Sequence, residues 1–246
     1  MRAPAKWVVS ETTNNGVTFE YAREITGYPN WAVRVIAFHE VCHVKHALKG
    51  LPLLILCLKG DDKEESGFSS LPLAKATDFN FKEIDVKILG NILGVEAKKT
   101  MDIIQDAYVM LTDVLVNCEL IKHTPVGSEN LEYGNITVFG DSKMVDKPTC
   151  EKDRFNGVIE AGLWRAVTEK IGPTYPASKS ALIERLADLE FSFRNYGVSA
   201  ETYNQYVKTL LNVEFTTCSK TLENLLFDVC KAILRIESQI VNVKNS

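Results

Sequence analysis

Three of the four histidines of this 246-residue chain fall in one short stretch, His39-Glu40-Val41-Cys42-His43-Val44-Lys45-His46. Its first five residues follow the pattern H-E-x-x-H. On a helix, residues four apart project from the same face, so both imidazoles can reach one metal ion. The glutamate directly after the first histidine then faces the open side of that metal. There it can take a proton from a water whose pKa zinc lowers to about 7. His46 lies one turn beyond His43 on the same face. It sits about 10.5 Å along the axis from His39, too far for both to hold one ion on an unbroken helix. His46 is therefore expected to line the cleft or to support a ligand.

A catalytic zinc site needs a third protein ligand and one open position. A later stretch, residues 102–117, offers candidates. At about 100° per residue, Asp102, Asp106, Asp113 and Asn117 fall on one stripe of a helix. Ile103, Met110, Val114 and Ile121 border that stripe on one side, and Val109, Val116 and Leu120 on the other. Gln105, Thr112 and Glu119 mark the expected solvent face. A carboxylate row between apolar flanks must meet something positive, and a metal held by the first helix meets that need. Asp106 and Asp113 are two turns apart, so only one can be a direct ligand. Asp113 is favoured, because Asn117 one turn on could hydrogen-bond it or another ligand; Asp106 is the alternative.

The elements that position these groups follow from local signals. Residues 7–21 read as a hairpin around Asn14-Asn15-Gly16. Gly27-Tyr28-Pro29-Asn30 stops the second strand and supplies Asn30 as a cap for a helix from Trp31 to about Lys49, ended by Gly50 and Pro52. On that helix Arg34, Lys45 and Lys49 form the expected solvent stripe. Val33, Ala37, Val41, Val44 and Leu48 form the expected core stripe. Leu53–Leu58 reads as a buried strand and Gly60–Ser70 as a charged loop. A second helical region is expected from near Phe81, weakened at Gly90 and Gly94, and resuming from about Glu96 to Lys122. Residues 127–150 are turn-rich, with a short hairpin of Leu131–Tyr133 against Ile136–Phe139. The last hundred residues read as four helices, about 151–171, 178–195, 199–213 and 218–241. The fold class is thus α+β, predominantly helical, with a small sheet. It divides into a metal-binding domain over residues 1–150 and a helical annex over 151–246.

His39-Glu40-Val41-Cys42-His43 on one helix, followed by Leu111-Thr112-Asp113-Val114-Leu115-Val116-Asn117 on a later one, resembles the zincin-type metallopeptidases. More narrowly, it is similar to predicted prokaryotic metallopeptidase-like families in which H-E-x-x-H precedes a helix bearing D-x-x-x-N. The resemblance covers roughly residues 31–123, and the later helix carries no E-x-x-x-D form. It implies a zincin-like core with two metal-site helices. His39, His43 and Asp113 would hold Zn2+, and Glu40 would be the general base of peptide-bond hydrolysis. Tyr108, Tyr133, Tyr175 and His123 are candidates for the donor that stabilises the oxyanion. No motif in the annex is matched.

Two other classes of function fit the same residues. The metal could be structural, in a closed four-coordinate site that His46, Asp106 or Cys42 completes. The protein would then be a non-catalytic, metal-stabilised regulatory module with the annex as its partner-binding surface. Alternatively, the histidines are core residues held by hydrogen bonds and no metal binds. Two histidines and a carboxylate can also hold iron(II).

Composition narrows the partners. The net charge is −4 with 46% hydrophobic residues, and no Lys/Arg-rich run stands out. A nucleic-acid partner is not expected. The N-terminus lacks the apolar core of a signal peptide. The longest apolar run, Leu51 to Leu58, is far short of a membrane span. A cytoplasmic protein acting on a peptide or protein, with no membrane partner, is expected. The six cysteines include no C-x-x-C pair and read as free, mostly buried thiols.

Overall fold

The computed structural model describes residues 5–14, 17–25, 30–57, 81–123, 151–171 and 196–240. Within these the chain is a predominantly helical α+β protein. Contacts divide it into two compact units, Met1–Gln105 with Phe215–Asn224, and Asp106–Glu214 with Leu225–Ser246. Among the described residues, no helix is long and apolar enough to cross a membrane.

In the first unit, β1 (Ala5–Asn14) and β2 (Val17–Ile25) pair antiparallel from Ala5↔Ile25 to Asn14↔Val17. The register shifts between Val8 and Glu11. The strands stop and resume on either side of Asn15-Gly16, as the turn signal in the sequence requires. α1 then runs from Asn30 to Leu48. Gly50 ends it with φ 94°, in the left-handed region open to glycine, and the amide of Leu51 donates back to the His46 carbonyl at 3.0 Å.

β3 (Leu53–Cys57) lies parallel to β4 (Phe81–Asp85), in register from Leu53↔Phe81 to Cys57↔Asp85. The small sheet is thus two separate strand pairs. β4 corrects the expectation of a helix from near Phe81. Phe81-Lys82-Glu83-Ile84-Asp85 has its apolar residues three apart, a helix-like spacing, yet it pairs as a strand with Ile84 buried and Glu83 exposed. Asp85 both ends the strand and caps the following helix, its carboxylate accepting from the amides of Lys87 (3.0 Å) and Ile88 (3.1 Å). The pairing that makes a strand of Phe81–Asp85 is non-local, so no short-range pattern in the sequence announces it.

α2 (Val86–Leu93) closes at Gly94, with φ 73°. α3 (Ala97–His123) is the longest described helix. Its burial differs from the expected two-sided pattern. From Met110 to Ile121 it is buried nearly all round, Thr112 included. Thr112 was expected on the solvent face. It is accommodated because its hydroxyl bonds the helix's own carbonyls, Tyr108 at 3.1 Å and Val109 at 3.0 Å.

α4 (Glu151–Ile171) and α5 (Ala200–Leu211) in the second unit, and α6 (Ser219–Gln239), which begins in the first unit and continues in the second, match three of the four helices expected after residue 150. The fourth, 178–195, lies outside the described residues, as do the 60–70 loop and the hairpin expected within 131–139. α4 and α5 pack closely where the Tyr206 ring lies against Gly162, and the Tyr206 hydroxyl donates to the Ile159 carbonyl at 3.3 Å. Lys170 donates to the Leu211 carbonyl at 2.8 Å and so caps the end of α5. Ser199 caps its start, accepting from the Thr202 amide at 3.1 Å. Cys42, Cys118, Cys218 and Cys230 are free thiols, and all but Cys218 are buried. Burial pushes Cys118 up to about 11, against the opposing charges of Lys170 and Lys122, and pushes Cys230 up to about 12.

Candidate metal centre

α1 carries the centre because its sequence repeats histidine at helical spacing. His39 and His43 leave the helix one turn apart, and their Nε2 atoms lie 3.0 Å from each other. The rings are 4.8 Å apart between centres and inclined by 70°. Two imidazole nitrogens this close share one position in space, in which either a proton or a cation fits between their lone pairs. An ion about 2.0–2.1 Å from each nitrogen in tetrahedral geometry separates them by roughly 3.4 Å. A small rotation of the two rings therefore suffices to admit it.

The third member comes from α3. One ligand atom each from His39, His43 and Asp113 forms a group within 4.8 Å, so this group could hold a metal ion. Asp113 is the residue favoured as third ligand. Asp106, the alternative, is exposed and is not a member of the group. Along the α3 stripe, burial rises with chain position: Asp102 and Asp106 are exposed, Asp113 is half-buried, and Asn117 is 2% exposed. Helix depth therefore separates two aspartates that the sequence pattern leaves equivalent.

Cys42 and His46 are buried on the same side of α1, at 1% and 5% exposure, yet neither joins the group. His46 instead meets the Phe215 ring edge-on, with centres 5.5 Å apart. Three protein ligands is the number typical of a site that keeps a position open for water or substrate. Glu40 is half-buried, as is Tyr108. His123, another residue considered as an oxyanion donor, is exposed at the end of α3, with Glu119 at 3.9 Å. Tyr133 and Tyr175 lie outside the described residues.

The face that α1 buries is not the expected one. Val41 and Leu48, assigned to a core stripe, are 42% and 49% exposed. Val44 and Ala37 are half-buried. Among residues 37–48, those whose burial is described, the buried positions are His39, Cys42 and His46, with spacings of three and four; Val33 of the expected stripe lies outside them. Counting apolar residues picks the valine side; over its described residues the helix is buried on the side that carries the histidines.

Two further residues share the electrostatic surroundings of Asp113. Tyr206, fully buried on α5, has its phenol pushed well above the ordinary range. Burial is the main cause, followed by the negative field of Glu160, then Tyr203, Asp106 and Asp113. The phenol stays neutral beside the carboxylates of α3 and α4. Glu160 and Tyr206 were not singled out in the sequence, because no motif spacing ties α4 or α5 to Asp113.

Comparison with family models, curated proteins and solved structures finds no match to this chain. Its function must be read from its own residues.

Proposed function

We propose that the chain is a zinc-dependent peptidase of the zincin type, with His39, His43 and Asp113 as ligands and Glu40 as general base. The observation that carries this reading is the convergence of the three ligand atoms within 4.8 Å, from two helices far apart in sequence. Two imidazoles and one carboxylate form a donor set that suits zinc. Among the described residues the group has three members, the number found in zinc sites that keep a position for water or substrate.

When bound, zinc polarises the scissile carbonyl and acidifies the attacking water. The chain's own residues do the rest. His39 and His43 would hold the metal through Nε2, and partners at Nδ1 would orient each ring. Glu40, next to His39 in sequence, accepts the proton of the attacking water and returns it to the departing amine. Asn117, buried one turn beyond Asp113, supports the carboxylate from the α3 side. The substrate is a peptide or protein, and α4 to α6 offer a surface for a protein partner.

The test has two stages. Protein purified without chelator or nickel affinity should contain about one zinc per chain by elemental analysis. Glu40→Gln should then keep that zinc and lose roughly 10²–10⁴-fold in kcat on a peptide substrate. A chain that takes up no zinc, or a Glu40→Gln variant that cleaves at the wild-type rate, would overturn the reading.

A further inference from the structure

Phe215 lies in the segment joining α5 to α6 and belongs to the same compact unit as α1. Its ring centre is 5.5 Å from that of His46, with the planes inclined by 66°. His46 is buried, whereas Phe215 keeps 42% of its surface exposed. The contact therefore covers part of the ring and leaves the remainder open to solvent.

His46 follows His43 by three residues, which is about 4.5 Å along the helix axis and about 60° of rotation. The two imidazoles leave α1 on the same side. Because Phe215 meets His46, the ring is stationed on the histidine side of α1, about one turn beyond the ligands. Of the other large apolar residues exposed on α1, Val41 and Leu48 lie on the opposite side of the helix, and Phe38 stands about 80° of rotation from His46. The segment bearing Phe215 is anchored nearby. Thr216 accepts from the Cys218 amide at 3.0 Å, and Glu223 pairs with Lys82 of β4 at 3.1 Å. An exposed aromatic ring held in place at its edge is a low-entropy surface for an apolar side chain.

An extended peptide advances about 3.3 Å per residue. For a peptide lying along α1 with its reacting bond at His39 and His43, a side chain one or two residues toward the helix C-terminus comes level with Phe215. We infer that Phe215 forms the wall of a side-chain subsite, and that the preferred substrates carry a bulky apolar residue beside the scissile bond. The inference rests on the metallopeptidase reading for its substrate class, while the subsite itself can be tested without turnover.

The zinc-loaded full-length chain is titrated calorimetrically with two hydroxamates, N-acetyl-leucine hydroxamate and N-acetyl-glycine hydroxamate. Both chelate the metal through the same two oxygens and differ only in the side chain. The leucine compound should bind about tenfold tighter to the wild type. Phe215→Ala should bring the two affinities together without changing zinc content, and Phe215→Leu should keep most of the difference. A ratio unaltered by Phe215→Ala overturns the subsite. So does a wild type with no leucine preference, or a variant in which both compounds weaken equally, since that is the signature of disturbed packing around His46. If the leucine preference holds and depends on Phe215 but no peptide is cleaved, the hydrolytic reading fails and the subsite stands.

Discussion

α1 and α6 are helices of similar length, 19 and 21 residues, that bury different kinds of face. α6 follows hydrophobic patterning. Leu222, Leu226, Val229, Cys230, Ile233 and Ile236 are buried at spacings of three and four, while Asp228, Lys231 and Arg235 are exposed. α1 buries His39, Cys42 and His46 and leaves Val41 and Leu48 exposed. In α6 the sequence spends its apolar residues on stability. In α1 the side turned inward carries the histidines, and a buried imidazole has a physical reason to be there only when a hydrogen bond or a cation satisfies it.

The largest expected effect that separates the two helices is on metal affinity. His43→Ala removes one of two nitrogens that lie 3.0 Å apart. Loss of a residue that merely supports a ligand weakens metal binding about 10- to 100-fold, so loss of a ligand should exceed about 100-fold. Zinc titration against a competing chelator measures this. A His43→Ala chain that holds zinc as tightly as the wild type would make α1 an ordinary core helix with polar residues and dissolve the contrast with α6.

Next in size is stability. Ile233 is fully buried, and Ile233→Ala should cost about 2–5 kcal/mol in denaturant unfolding. The cost should be the same with zinc or with chelator present, because Ile233 is not part of the ligand group. A cost that changes with metal would show α6 to be coupled to the centre and would blur the comparison from the other side.

Gly162→Ala comes third. A Cβ at Gly162 would collide with the Tyr206 ring, which is fully buried and cannot swing aside. α4 and α5 would have to part, at about 1–3 kcal/mol. Unfolding of the variant gives the figure directly. A neutral result would mean that the α4–α5 packing yields more readily than a well-packed core does.

How far the sequence revealed these features depends on the range of the interaction. Helix starts and ends that rest on a cap or a glycine were legible: α1 to within a residue, the close of α3 at His123, and the three described annex helices. The β1–β2 hairpin was legible because its turn is local. β4 was not, because the parallel partner that makes a strand of Phe81–Asp85 lies far earlier in the chain. The histidine pair was legible from spacing alone. Asp113 and Asp106 share one stripe in the sequence, and burial along α3 and proximity to His39 and His43 distinguish them. The buried face of α1 was misassigned because periodicity finds where apolar residues lie, whereas the choice of buried side depends on what the rest of the chain presents to the helix.

That misassignment supplies the smallest and most discriminating prediction. Val41 sits inside the H-E-x-x-H segment, between two residues of the centre, and its side chain is 42% exposed. Val41→Ser removes an apolar group that is largely in water already, so unfolding stability should change by no more than about 0.5 kcal/mol. Zinc affinity should stay within about twofold, since the side chain leaves α1 away from His39 and His43. If the core stripe read from periodicity were the buried one, the same change would cost about 1.5–3 kcal/mol through lost burial. A near-silent Val41→Ser beside a strongly destabilising Ile233→Ala is the result expected of one helix buried by its ligands and another by its hydrocarbon. Two equal losses would place α1 in the same class as α6 and leave its histidines without a reason to face inward.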